Sequence, residues 1–234
     1  MLILAFETSA KACSVALSRD GKLLAESYQN TGLTHSQTLM KMAEDLLCAC
    51  NLTAQDIEAV AVAAGPGSFT GVRIGVAAAK GFAWGKQIPC CGVSTLEAMA
   101  AGLGAYEGIV VPAMDARRSQ VYTATFRAEG GKLTRLTEDR AISLEELGND
   151  LKNCKENVFL VGDGSFLCYN NLEQTVPNLV LPPEHRMHQR AAGVALCADV
   201  QLREGKTCDG AALQPNYLRL SQAERERLER DKGV

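Results

Sequence analysis

Apolar and polar positions along this chain follow two rhythms, and the sequence runs through the pair twice. Leu2-Ile3-Leu4-Ala5-Phe6 is an apolar run of strand length. Cys13 to Ser18 and Leu23 to Tyr28 flank Arg19-Asp20-Gly21-Lys22, and Asp-Gly between apolar segments predicts a hairpin. Three antiparallel-capable strands therefore open the chain. From Thr34 to about Cys50 the spacing changes to three and four, through Leu39, Met42, Leu46 and Cys50, with Met40 and Leu47 widening the stripe. This predicts a helix that is apolar on more than one side. Val60 to Ala64 reads as a buried strand, Val72 to Trp84 as an alanine-rich helix and Ile88 to Val93 as a short strand. Ser94, with Glu97 three residues on, has the capping-box pattern of a further helix start.

Beyond Gly102 to Gly108 the pattern restarts. Ile109 to Arg117 parallels Leu2 to Ser9, with an acidic residue at each strand end, Glu7 and then Asp115. Val121 to Phe126 answers Cys13 to Leu17, and Gly130-Gly131-Lys132-Leu133 answers Asp20-Gly21-Lys22-Leu23. A helix opens at Ser143 with Glu146 in capping-box position, and a strand from Asn157 to Val161 ends in Gly162-Asp163-Gly164. These correspondences predict a duplicated βββαβα unit, one copy per lobe. Thr175 to Pro183 reads as loop, Gln189 to Arg203 as a helix and Gln214 to Arg219 as an extended stretch. Ser221 to Arg230 alternates in charge, as a solvated terminal helix does.

The stretch Gly65-Pro66-Gly67-Ser68-Phe69-Thr70-Gly71-Val72-Arg73-Ile74-Gly75 joins the predicted strand to the alanine-rich helix. Its four glycines permit positive φ and close backbone approach, and Ser68 or Thr70 can cap the helix. A helix N-terminus also suits an anion, but the run matches neither the Walker pattern nor Gly-x-Gly-x-x-Gly, so tight helix-strand packing is the preferred reading. Phe69 stands where a nucleophile elbow needs serine. Gly71, Gly75, Ala78, Ala79 and Phe82 would give this helix a small-residue face open to close packing by another helix, and with the Leu39-Met42-Leu46 stripe this points to an interface. Glu7 could be a catalytic carboxylate, but a structural polar role is preferred, because no glycine follows it to bring a phosphate near the backbone. Asp115-Ala116-Arg117-Arg118 offers either guanidinium forks for an anion or an internal Asp-Arg pair, and both readings stand.

Composition narrows the choice of function. With 234 residues, 47% of them hydrophobic, the chain can bury a large core or two smaller ones. A net charge of −3 supplies no general basic field, so nucleic acid would need a partner to hold it. The nine cysteines are odd in number and sit mostly in apolar company, which predicts free buried thiols. His35, His185 and His188 lack ligands at metal spacing, so no metal is expected. No apolar stretch is long enough to span a bilayer, and the opening residues read as a strand; a cytoplasmic location and no membrane contact are expected.

The chain resembles the TsaB (YeaZ) family of the tRNA threonylcarbamoyladenosine pathway over nearly its whole length. The residues that carry the likeness are Glu7-Thr8-Ser9 with Cys13 to Leu17, Gly65 to Gly75, Met114 to Arg118 with Val121-Tyr122, and Pro215-x-Tyr217-Leu218-Arg219. The resemblance implies an α/β architecture, the duplicated actin/Hsp70-like ATPase (ribonuclease H-like) fold, with a mixed five-stranded sheet and helices in each of two lobes. The expected division is residues 1–104, 105–220 and a charged tail, 221–234. It further implies a non-catalytic partner of TsaD, the related protein that carries the metal-binding histidines and transfers threonylcarbamoyl onto the adenosine beside the anticodon. TsaE, a small P-loop ATPase, is expected at the TsaB–TsaD junction, and a homodimer where TsaD is absent. The partner-binding positions implied are His35, Leu39, Met42, Leu46, Gly71, Arg73, Gly75, Ala78, Ala79 and Phe82. Any nucleotide contact would involve Glu7, Asp115, Arg117 and Arg118, with ATP or ADP held at the junction and none held tightly by this chain alone. Glu7 departs from the aspartate of many relatives, which bears against a magnesium role carried over from the wider fold.

Overall fold

In the computed structural model the described residues are 1–219, so the expected terminal helix at 221–234 lies outside them. The first sheet is built from β1 (Leu2–Glu7), β2 (Cys13–Arg19), β3 (Lys22–Gln29), β4 (Ala59–Gly65) and β5 (Cys90–Ser94), in the order β3-β2-β1-β4-β5. The Asp-Gly hairpin forms as its sequence demands, with Asp20 at φ 53° and Gly21 at φ 79°. Helices α1 (His35–Ala49) and α2 (Phe69–Lys86) pack on one face of this sheet, over Leu2, Leu4, Phe6, Val60 and Val62. Ser68 caps α2 by accepting a hydrogen bond from the Gly71 N–H.

The second sheet repeats the plan with two interrupted strands. It contains β6 (Gly108–Asp115), β7 (Gln120–Thr123), β8 (Phe126–Glu129), β9 (Lys132–Arg135), β10 (Arg140–Ser143), β11 (Val158–Val161) and β12 (Leu179–Val180). β7 and β8 share one antiparallel register against β6, Thr123 facing Ala113 and Phe126 facing Val110. That register sets Ala124 opposite Pro112, which has no N–H to offer the ladder, and the strand expected over Val121 to Phe126 breaks there. β9 and β10 form the third strand position, parted by residues 136–139. Seven strand segments thus occupy five positions in the order of the first sheet. Helices α4 (Leu144–Leu151) and α5 (Ser165–Leu172) cover one face, and Ser143 caps α4 as its sequence predicts. β12 is a two-residue edge strand within the proline-bearing stretch read as loop.

The lobes are not contiguous in sequence, which corrects the division at 105–220. Helix α6 (Ala191–Arg203) returns to the first sheet, packing Ala191, Val194, Ala195 and Ala198 on Ile3, Ala5, Ala61 and Val93. Its small residues allow the close approach: a Cβ on Gly193 would lie 2.0 Å from the carbonyl oxygen of Ala98 on α3 (Thr95–Ala101). Glu26 of β3 fixes the helix start, accepting from the Ala192 N–H and from Arg190. The remaining segment bridges β5 at Cys90–Cys208 and buries Leu213 in the first core.

Candidate functional site

A cavity of about 490 Å³ opens where strand ends of the two lobes face each other. Its walls come from the β1–β2 turn (Ser9, Lys11), the β4–α2 turn (Pro66 to Phe69), the β6–β7 turn (Asp115, Arg117) and Asp163 after β11. The C-terminal segment closes one side. Asn216 N–H donates to the Ala64 carbonyl at 2.6 Å, Tyr217 stacks on Phe69 with centroids 4.7 Å apart, and Arg219 donates to the Ala116 carbonyl at 2.6 Å. Residues 216–219 therefore strap the first lobe to the second across the cleft. Arg73 also lies over the Phe69 ring, 4.8 Å from its centroid.

The glycine-rich turn is used for packing. A Cβ on Gly67 would meet the Ser9 carbonyl at 2.5 Å, one on Gly71 the Thr8 carbonyl at 2.1 Å and one on Gly75 the Thr8 Oγ1 at 2.4 Å. Ser68 N–H donates to Ser9 O at 2.7 Å and Thr8 Oγ1 donates to Gly71 O at 2.8 Å. The space beside these backbone groups is filled by Thr8 and Ser9, as the preferred reading of the turn required. Gly65, at φ 119°, is pressed against Asn216 of the strap.

The expected anion-contacting residues separate into two environments. Glu7, expected at any nucleotide, is 0% exposed and is not among the residues that line the cavity. Burial, with the nearby Asp163 carboxylate adding to it, raises its pKa to about 7, against the hydrogen bonds from Ser9. Its Oε1 accepts from Ser9 N–H at 2.6 Å, while Oε2 has no partner. Asp115, by contrast, is exposed and accepts from the N–H of Arg117 at 2.7 Å. That bond caps its own turn, in which Arg117, Arg118 and Ser119 all take positive φ, and it is neither of the two pairings considered from sequence. Arg117 lines the cavity and Arg118 does not. Sequence reasoning missed Lys11, Asp163, Tyr217 and Arg219 at this site; the signal for Asp163 was an acid set between two glycines at the second copy's strand end. Desolvation by the surrounding walls raises the Asp163 carboxyl above its ordinary range, opposed by the Gln189 amide that donates to it at 3.0 Å.

The expected partner-binding positions on the helix pair lie mostly on its inner side. Leu39, Leu46, Gly71, Gly75 and Ala79 are buried within the first lobe, His35, Met42, Ala78 and Phe82 are half-buried, and Arg73 alone of the expected positions is exposed. The expectation that α1 is apolar on more than one side fails over most of its length: its outer face carries Lys41 paired with Glu44 and Asp45, with Met40 at 48% exposure and Cys48 and Ala49 at its end as the apolar exceptions. The open face of α2 is instead Arg73, Ala77, Gly81 and Trp84, about one turn apart, with Trp84 80% exposed. A Cβ on Gly81 would meet nothing within 4 Å.

Comparison with known proteins fixes the family. A family model described as TsaD, tRNA N6-adenosine threonylcarbamoyltransferase, matches residues 28–227. The tRNA threonylcarbamoyladenosine biosynthesis protein TsaB of Bacillus subtilis is 34% identical over 233 residues, covering 99% of this chain and all of the relative. The chain belongs to the TsaB family. TsaB of Escherichia coli is also 34% identical, over 94% of this chain and 95% of its own. YeaZ from Pseudomonas aeruginosa superposes with a TM-score of 0.77 at 26% identity, covering 93% of this chain and 99% of that one. Another Pseudomonas aeruginosa structure, described as similar to peptidase YEAZ, gives 0.80 at 27% over the same shares. A 13% identical likeness to (R)-2-hydroxyglutaryl-CoA dehydratase component A of Acidaminococcus fermentans, TM-score 0.52 over 87% of this chain and 99% of that one, bears on the fold alone. The TsaB chain thus has the duplicated actin/Hsp70-like fold in two lobes. Among its described residues no helix is long and apolar enough to cross a membrane, and no group of three His, Cys, Asp or Glu could hold a metal ion.

Proposed function

We propose that this chain is a non-catalytic scaffold in the cytoplasmic complex that attaches threonylcarbamoyl to the adenosine next to the tRNA anticodon. It binds and activates TsaD, TsaE joins at their junction, and tRNA is engaged only through the assembly. The observation that carries this reading is the open side of α2, where Trp84 stands 80% exposed beside Gly81 and Ala77. An exposed tryptophan flanked by small residues is a helix-docking surface, with half-buried Met42, Ala78 and Phe82 at its edge. A second copy of the chain occupies the same surface when TsaD is absent. The cleft supports the non-catalytic part, because Thr8 and Ser9 fill the space beside the glycine turn that a phosphate would need. ATP or ADP, where present, is held at the junction with TsaD, and of the four residues expected at it Asp115 and Arg117 line the cavity.

The test is tRNA modification reconstituted from TsaD, TsaE, the adenylate-forming enzyme, threonine, bicarbonate and ATP, with and without this chain. Modification should require the chain, and Gly81→Arg should abolish both co-elution with TsaD and modification while the variant stays folded, since a side chain there meets open space. Equal modification without the chain, or full activity of the Gly81→Arg variant, would sink the proposal.

A further inference from the structure

The C-terminal segment meets β5 at one antiparallel bridge, and both members of the pair are cysteines. Cys90 and Cys208 exchange two backbone hydrogen bonds of 2.9 Å each, and their sulfurs lie 3.6 Å apart. A residue pair bonded in this way holds its Cα atoms about 5.5 Å apart. That separation is close to the commonest one in disulfides, about 5.5–6 Å, so a bond needs side-chain rotation and little backbone movement. The neighbouring thiol does not compete: Cys91 faces the opposite side of the sheet, with its sulfur 3.9 Å from the Lys206 carbonyl.

We propose that Cys90 and Cys208 are an oxidisable dithiol site, which a hydroperoxide converts reversibly to a disulfide. Cys208 is the half-buried member and Cys90 the fully buried one, so oxidation enters at Cys208. Its sulfur attacks the peroxide, the O–O bond breaks, and a sulfenic acid and one water result. Cys90 then gives up its proton as its sulfur attacks that of Cys208; the S–O bond breaks and a second water leaves. Two thiols are oxidised and one hydrogen peroxide is reduced to two waters. Burial, with the Cys208 sulfur beside it, pushes the Cys90 thiol up to about 12, so Cys90 is a poor first target for oxidants and the second step is the slow one.

The bridge would act on a segment that matters for the rest of the molecule. Residues 209–213 lie along α2, where Lys80 Nζ donates to the carbonyls of Ala211 and Leu213 at 3.2 and 3.1 Å, and they lead directly into the strap at 216–219. A disulfide at Cys208 restrains the start of that segment covalently.

The experiment treats the full chain with hydrogen peroxide, blocks remaining thiols with iodoacetamide, and maps unreduced peptides by mass spectrometry. A Cys90–Cys208 linked peptide that disappears after dithiothreitol is expected, and Cys208→Ser should lose it while remaining folded. Recovery of Cys90 and Cys208 as alkylated thiols in a sample whose exposed Cys48 has been oxidised would overturn the site. Amide exchange over residues 209–216 should slow several-fold in the oxidised form. Unchanged exchange in a fully bridged sample would overturn the restraint.

Discussion

The two lobes place an acid at the same strand end and treat it in opposite ways. In the first, Glu7 is sealed behind Thr8 and Ser9, which are held against the glycines of α2, and the strap presses on Gly65 from outside. In the second, Asp115 stands in solvent on a turn of three positive-φ residues, and the equivalent glycine, Gly162 at φ 110°, abuts Ala113 of the neighbouring strand and the Met99 sulfur of α3. A duplicated topology therefore fixes where side chains can converge but leaves open whether water or a ligand reaches them. Here the first copy has become a packed support and the second keeps the accessible groups.

The largest expected effects lie on the sealed side. Ala79→Asp buries a charge with no partner at a fully buried position and should cost about 3–5 kcal/mol, read as loss of the folded chain in urea titration. Gly71→Val, whose Cβ would sit 2.1 Å from a backbone oxygen, should cost about 3 kcal/mol or more. A fold that tolerates both would erase the contrast between the helix's inner and outer faces.

Next comes the pH dependence of the buried acid. Because Glu7 titrates near 7 when folded and near 4.5 when unfolded, its favourable contribution is fully present below about pH 4.5 and is lost as pH rises through about 7. Glu7→Gln should therefore stabilise the chain at pH 8 by up to about 3 kcal/mol, a gain that shrinks to nothing by about pH 4. Denaturant midpoints across that range check it; a gain independent of pH would contradict the assignment. A smaller loss, about 1 kcal/mol, is expected for Tyr217→Ala, which removes the stack on Phe69, and faster amide exchange at residues 214–219 should accompany it. The smallest effect belongs to the second lobe: Asp115→Asn keeps an acceptor for the Arg117 N–H at an exposed position, so its denaturant midpoint at neutral pH should correspond to a stability within about 0.5 kcal/mol of the parent. A change as large as that of Glu7→Gln would mean that the two sites are alike after all.

Much of this was legible in local residue patterns. Asp20-Gly21, the Ser68 and Ser143 caps and the repeat of strand, hairpin and helix each rest on interactions within a few residues, and each forms where expected. The close packing at Gly67 to Gly75 was also recoverable, since glycines without a lysine at the end of the run are most simply a close contact. Hidden from sequence was everything set by distant partners. Pro112 breaks a strand twelve residues away only because the register aligns it with Ala124. The apolar spacing of Leu39, Leu46 and Ala79 could not say which side of its helix the sheet would cover. Nor could an extended stretch at Gln214 to Arg219 reveal that it crosses a cleft to reach Ala116.

The return of α6 also sets an order of events during synthesis. The strands of the first sheet are complete once Ser94 has been made, yet the residues that cover Ile3, Ala5 and Ala61 lie at 191–198. At roughly 5–20 residues per second, that cover is translated several seconds later. Throughout that interval one face of the earliest sheet has only α3 to cover part of it, so the first lobe is the first to be started and the last to be finished, and the nascent chain is most open to unwanted association while the second lobe is still being made.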